Sequence, residues 1–174
     1  MKETTTYENF PLWIPIASNA LSLSIYALGA CIVTGFGVWA LALYLAYCLA
    51  IELRVLRHSC VHCHYYGKVC GLGKGKLCAL LLKRGNPPRF AQAQASWVSL
   101  LPDFLVSLIP LVAGIVLSLV AFNWTRVGLL AALVVLSTVG NGAVRGGLVC
   151  KYCKQREIGC PAQRLFSGEQ APAE

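Results

Sequence analysis

Four long apolar blocks, separated by short charged segments, constrain this chain more than any other feature. The first runs from Leu12 to Thr34 and the second from Phe36 to about Ile51. The third runs from Trp97 to Phe122 and the fourth from Val127 to about Val144. A bilayer core about 30 Å thick needs about 20 apolar residues of helix. The first and third blocks reach that length alone, and the second and fourth reach it with their flanks. Within lipid a segment must satisfy its own backbone N–H and C=O groups, which only helices and closed barrels achieve. Four blocks without period-two alternation do not make a barrel. The expected fold class is therefore an all-α membrane protein. Its spanning helices are predicted near residues 12–34, 36–57, 97–122 and 125–148, with a Cys-rich loop over 58–96 and a Cys-rich tail over 149–174. Charged residues are 13% of the chain, about half the share of a soluble domain. The blocks also lack the polar face a water-exposed helix needs. The first block is too long for a signal-peptide core, and Lys2 stands without a basic cluster.

The distribution of charge predicts orientation. Of fifteen Lys and Arg residues, eight lie between Arg54 and Arg89, five between Arg145 and Arg164, and one is Lys2. Only Arg126 falls in the opposite, very short loops. The bias of Lys and Arg toward the cytoplasm then places both termini and the 58–96 loop there. The net charge of +8 sits almost wholly on that face. It predicts contact with anionic lipid head groups, at about 1 kcal/mol per basic residue near the surface, or with a protein partner. Lys74, Lys76, Lys83 and Arg84 are the candidate contact residues. A nucleic-acid role is not expected, because the basic stretch is confined between helices and carries no binding module. Asn123-Trp124-Thr125 is a glycosylation sequon, but its position in a turn against the membrane predicts that it is unused.

The cysteines form an internal repeat. Cys60, Cys63 and Cys70 follow the second block as C-x2-C-x6-C, and Cys150, Cys153 and Cys160 follow the fourth with the same spacing. The offset of ninety residues superposes helix one on helix three and helix two on helix four. Two parallel-repeat hairpins, each followed by a cytoplasmic Cys-rich segment, would be related by an axis along the membrane normal. Their cysteines would then meet near that axis.

Seven of the nine cysteines lie in these two segments. In a reducing cytoplasm they are better read as metal ligands than as disulfides. A C-x2-C turn sets two sulfurs on one side of a tight loop, and zinc takes four ligands in a tetrahedron. Cys60 and Cys63 with Cys150 and Cys153 would complete one site and staple helix two to helix four. Cys70 and Cys160 could build a second site with Cys78, His62 or His64, and His58 lies just before them. Alternatively, Cys60, Cys63, Cys70 and Cys78 would make a self-contained site. An iron–sulfur cluster also accepts four cysteines; Cys160-Pro161 fits that chemistry, whereas the C-x6-C gap does not. Free or reversibly oxidised thiols are the competing reading, although a redox dithiol needs no matched third cysteine. Cys31 and Cys48, inside helices one and two, read as small hydrophobes.

The remaining features are weaker. Gly71-Leu-Gly73-Lys-Gly75-Lys76 lacks the spacing of a phosphate loop, and its glycines suit a close turn about a metal site. A short interfacial helix is predicted from Lys76 to Arg84, stopped by Gly85-Asn-Pro-Pro88. Arg54, Arg57 and Asn141 read as boundary residues that snorkel. Glu52 and Arg145 form a candidate intramembrane polar site, since ionisable groups at membrane depth are functional suspects; Asp103 has a similar status. Pro102 and Pro110 should bend helix three, and the tail from Arg164 should be disordered.

No catalytic constellation can be found. The expected function is a multi-pass membrane metal-binding protein. Its two segments would form a zinc-type thiolate site holding about one or two ions and would present a basic face to a partner or anionic lipid. The alternatives are a membrane redox protein carrying an iron–sulfur cluster or dithiols, and a protein of metal transport or trafficking.

Overall fold

The computed structural model describes residues 6–92 and 96–167. Among them the chain is helical, with one isolated parallel bridge between Tyr7 and Cys153. The spanning helices are α1 (Trp13–Val33), α2 (Val38–His58), α5 (Trp97–Val120) and α6, which opens as an α-helix over Trp124–Val135. Short helices α3 (Lys74–Leu81) and α4 (Pro87–Gln92) fill the loop after α2, and α7 (Gln155–Ile158) and α8 (Pro161–Ser167) follow α6. The predicted interfacial helix thus starts earlier, at Lys74, because Gly73 adopts the left-handed conformation (φ 72°) that turns the chain into it. The tail is helical as far as Ser167; residues 168–174 lie outside the described residues, as does Lys2.

The four spans Trp13–Phe36, Val38–His62, Trp97–Val120 and Trp124–Tyr152 are long and apolar enough to cross a membrane. They expose apolar side chains in a way no soluble monomer tolerates, with Trp39 at 82% and Leu119 at 83% exposure. All four tryptophans stand exposed at the first or second residue of a spanning helix. Trp and Tyr favour the two bilayer interfaces, and Trp13 and Trp97 occupy one end, Trp39 and Trp124 the other.

α1 is the central helix. It buries Ile14, Ser18, Leu21, Ser22, Ile25, Gly29 and Ile32, spaced three or four residues apart on one face. It packs on α2, α5 and α6, while α2 also packs on α5 and α5 on α6. α5 runs unbroken through Pro102 and Pro110. Pro110 has no N–H to offer the carbonyl of Val106. The Tyr44 hydroxyl of α2 fills the vacancy, donating to Val106 O at 3.0 Å. Gly29 of α1 makes room for that tyrosine ring.

The fourth span departs from the regular helix expected over 125–148. It widens to π-helical geometry over Leu136–Gly140 and again over Gly142–Val149. Glycines 140, 142, 146 and 147 lower the cost of the wider turn. Thr138 and Asn141 side chains also return bonds to Val134 O (2.7 Å) and Ser137 O (3.0 Å), a substitution that loosens helices. At the opposite bilayer end, Asn123 caps α6 through its own Oδ1, which accepts from Thr125 N–H at 2.8 Å, so the sequon's side chain is engaged in folding.

Candidate functional site

Each cysteine segment starts where a spanning helix stops. A 3₁₀ turn over Cys60–His62 follows α2, and a second over Cys150–Tyr152 follows α6. The turns match atom for atom. Cys63 N–H donates to Cys60 O and Cys153 N–H to Cys150 O, both at 3.3 Å. Tyr66 N–H and Arg156 N–H then donate to Cys63 O and Cys153 O, both at 3.1 Å. Both second cysteines are extended, with ψ of 152° and 119°. The N–H groups of Tyr65 and His64 favour the Cys63 thiolate, and that of Gln155 the Cys153 thiolate, against the larger effect of burial. Gly75 N–H donates to Cys70 Sγ at 3.2 Å.

Four of the predicted ligands face one cavity. Cys60, Cys63, Cys70 and Cys153 line a space of 140 Å³, closed by Val149, Phe90 and Tyr65. Burial pushes the Cys63 thiol up to about 11 and the Cys153 thiol up to about 12. Cys150 is exposed and outside this lining, and Cys160 is half-buried. Cys160 is nonetheless an electrostatic neighbour of Cys63, Cys150 and Cys153. Among the described residues, no three His, Cys, Asp or Glu side chains converge tightly enough, as they stand, to hold one ion. The lining nevertheless places thiols from both segments around one space.

The other candidate ligands point elsewhere. Cys78 is fully buried against Leu56 and Val61, and its thiol donates to Leu56 O at 3.7 Å; burial also raises its pKa. His64 meets Glu8 and Lys68, each at 3.3 Å, and burial lowers its pKa. His62 keeps a buried Nδ1 without a hydrogen-bond partner among the described residues, against Gly85. His58 is exposed at the end of α2.

The candidate polar site is also rearranged. The ion partner of Glu52 is Lys74 of α3 rather than Arg145, and Tyr26 OH donates to the same carboxylate at 2.6 Å. Arg145 turns to Ser22 Oγ at 2.7 Å. Lys74 therefore docks the cysteine loop on α1 and α2 and is largely buried, whereas Lys76, Lys83 and Arg84 remain exposed. Arg54 joins α2 to α5 through Ser99 O at 2.9 Å and Asp103 at 3.5 Å.

Sequence reasoning passed over the amino-terminal strap. Tyr7 N–H donates to Tyr152 O and Phe10 N–H to Val69 O, both at 3.0 Å, so one short segment bonds both cysteine segments. Glu8 gathers Lys68, His64 and Lys154. Tyr65 OH donates to Tyr7 O, and Tyr7, Phe10 and Tyr152 pack ring against ring around it. The available signal was Tyr7 and Phe10 flanking Glu8, just before a helix on a basic face.

Four helices fit to cross a membrane, bearing a thiol-rich cap at one end, mark the chain as an integral, multi-pass membrane protein. Compared with known family models, curated proteins and solved structures, it matches none.

Proposed function

We propose that this protein binds a thiophilic metal of zinc type through its two C-x2-C-x6-C segments on the cytoplasmic face of a membrane. The metal closes the helical bundle there, and the surrounding basic surface meets anionic lipid or a protein partner. The observation that carries this reading is the shared cavity, lined by cysteines from both segments. Zinc bound there would hold the ends of α2 and α6 together, as closed thiolate sites do in structural zinc proteins. The cytoplasmic assignment rests on the concentration of Lys and Arg at this end. The basic surface is carried by Lys76, Lys83 and Arg84, with Lys151 and Arg156.

The duplicated hairpin reading draws support from packing. Exchanging α1 with α5 and α2 with α6 turns each helix contact into another observed one: α1–α2 into α5–α6, and α1–α6 into α5–α2. The α1–α5 contact maps onto itself.

One specific observation favours a second reading. The Gly75 N–H donates to Cys70 Sγ, and hydrogen bonds to cysteine sulfurs tune the potential of iron–sulfur centres, so a membrane redox protein is the alternative. Metal analysis with an absorption spectrum of anaerobically purified protein separates the two. A colourless preparation containing zinc supports the first reading. A coloured, reducible one containing iron replaces it with the second. Protein that stays metal-free after zinc and iron are offered under reducing conditions rules out both.

A further inference from the structure

The two cysteine segments grip each other by the same two positions. His64 N–H donates to Gln155 Oε1 at 2.7 Å, and Lys154 N–H donates to Tyr65 Oη at 2.9 Å. Residues 64 and 154 are counterparts at the ninety-residue offset, and so are 65 and 155. Each segment thus offers the N–H after its second cysteine to the side chain that follows in the other. Tyr65 is 2% exposed and Gln155 4%, so the exchange is buried. Its pseudo-two-fold axis passes beside Cys63 and Cys153, the residues immediately before the exchanged pairs.

Sulfur neighbours follow the same symmetry. Cys60 has Cys70, Cys78 and Cys63 around it, and Cys63 has Cys70. Cys153 has Cys150 and Cys160, and Cys150 has Cys160. Apart from Cys78, whose thiol is turned to Leu56 O, the thiols form two sets of three, and Cys63 of the first set has Cys153 and Cys160 of the second as electrostatic neighbours.

Zinc requires four ligands, and each triplet supplies three. The candidate fourth for the first ion is Cys153 from the other segment, which lines the same cavity as Cys60, Cys63 and Cys70. By the exchange, the fourth for the second ion is Cys63. Resting on the metal reading above, we infer that the six cysteines bind two zinc-type ions as one cluster, with Cys63 and Cys153 each bonded to both. Six thiolates suffice for two zinc ions only when two of them bridge. On loading, each thiol gives up its proton and turns inward about its single side-chain torsion. Six thiolates with two divalent ions carry two net negative charges. Lys74 stands in electrostatic reach of Cys60, and Arg145 and Arg156 of Cys150, so cations flank both ends.

This layout outperforms the two that cysteine spacing suggests first. A single site from Cys60, Cys63, Cys150 and Cys153 would leave Cys70, with its N–H donor, unused and would need the exposed Cys150 inside the cavity. A site within the first loop would need Cys78, which packs beside Cys60 but lies outside the cavity, fully buried with its thiol turned to Leu56 O.

The test uses the full chain in detergent, purified anaerobically, with its metal counted and then exchanged for ¹¹³Cd. The expected result is two metals per chain and two ¹¹³Cd resonances in the all-thiolate region, split by coupling to each other through the shared sulfurs. Two uncoupled resonances, or one metal per chain that survives Cys160→Ser, overturn the cluster while leaving the metal reading intact. No bound metal in native or zinc-reconstituted protein overturns both. The wild-type spectrum decides the matter even where a variant fails to fold. Among variants, Cys78→Ser is expected to keep both metals, and Cys63→Ser combined with Cys153→Ser, which removes both shared sulfurs, to abolish the coupling.

Discussion

The side chains that join the two cysteine segments are not cysteines. Tyr65 accepts from Lys154 N–H and donates to Tyr7 O, so one buried hydroxyl serves three pieces of chain. In Tyr65→Phe both backbone groups lose their partner, at a cost of about 1–3 kcal/mol. The thermal midpoint in detergent should fall by several degrees, at about 2–4 °C per kcal/mol for a chain of this size. Tyr66→Phe removes one half-buried bond, to Leu82 O, and should fall less; equal losses would deny Tyr65 this joining role. Cys78 makes the opposite case. It is fully buried in an apolar cluster beside Cys60, outside the cavity and with its thiol turned to Leu56 O, so Cys78→Ala should cost about 1 kcal/mol through a small cavity and leave metal content unchanged. A variant that loses metal in proportion to the other cysteines would make Cys78 a ligand. The six repeated cysteines, four of which line the cavity, could be picked out from their spacing, because a C-x2-C turn is a local geometry. Tyr65 and Gln155 could not, because their partners lie 89 and 91 residues away and no local pattern announces a bond across that distance. Pairing Glu52 with Arg145 from their shared depth failed for the same reason: the nearer cation, Lys74, comes from a helix whose docking the sequence does not specify.

At the scale of elements, apolar length was decisive for the four spans, and their observed limits differ from the expected ones by only a few residues at most ends. The π-helical course of the fourth span went unread, although its four glycines and its Ser137-Thr138 pair supply a local cause. The span ends with the Cys150 turn beside the start of α1, where Val149 packs on Phe10 and Ile14. α5 is sensitive in another way. Its two prolines leave carbonyls open, and the α1–α2–α5 junction answers at Val106 through Tyr44. A methyl group at Gly29 would collide with the Tyr44 ring and meet Pro110 Cγ at 3.1 Å. Gly29→Ala should therefore destabilise the bundle by about 1–3 kcal/mol, the usual cost of overpacking. The measurement is resistance to unfolding as denaturing detergent is mixed into a mild one. Gly128→Ala is the control, since nothing lies within 4 Å of the added atom. Equal resistance in the two variants would mean that the junction yields without cost.

For the whole molecule, everything proposed about the cysteines requires one topology, in which both segments emerge on the same side of the bilayer. The packing of Tyr7 and Phe10 on both segments holds them at one end of the bundle, and the exposed tryptophans place interfaces at both ends. Which end faces the cytoplasm follows only from charge. Single cysteines introduced at Lys83 and Lys151, both exposed beside the cluster, and at Phe36, 52% exposed at the opposite turn, can be read with an impermeant maleimide, above the signal of the unsubstituted chain. In right-side-out vesicles Phe36→Cys should react while Lys83→Cys and Lys151→Cys stay protected. In inverted vesicles the order should reverse. Reversal of both patterns would correct the orientation and keep the site. Reaction of Lys83→Cys and Lys151→Cys from opposite sides would separate the two thiol triplets by the thickness of the membrane. No ion could then be shared between them.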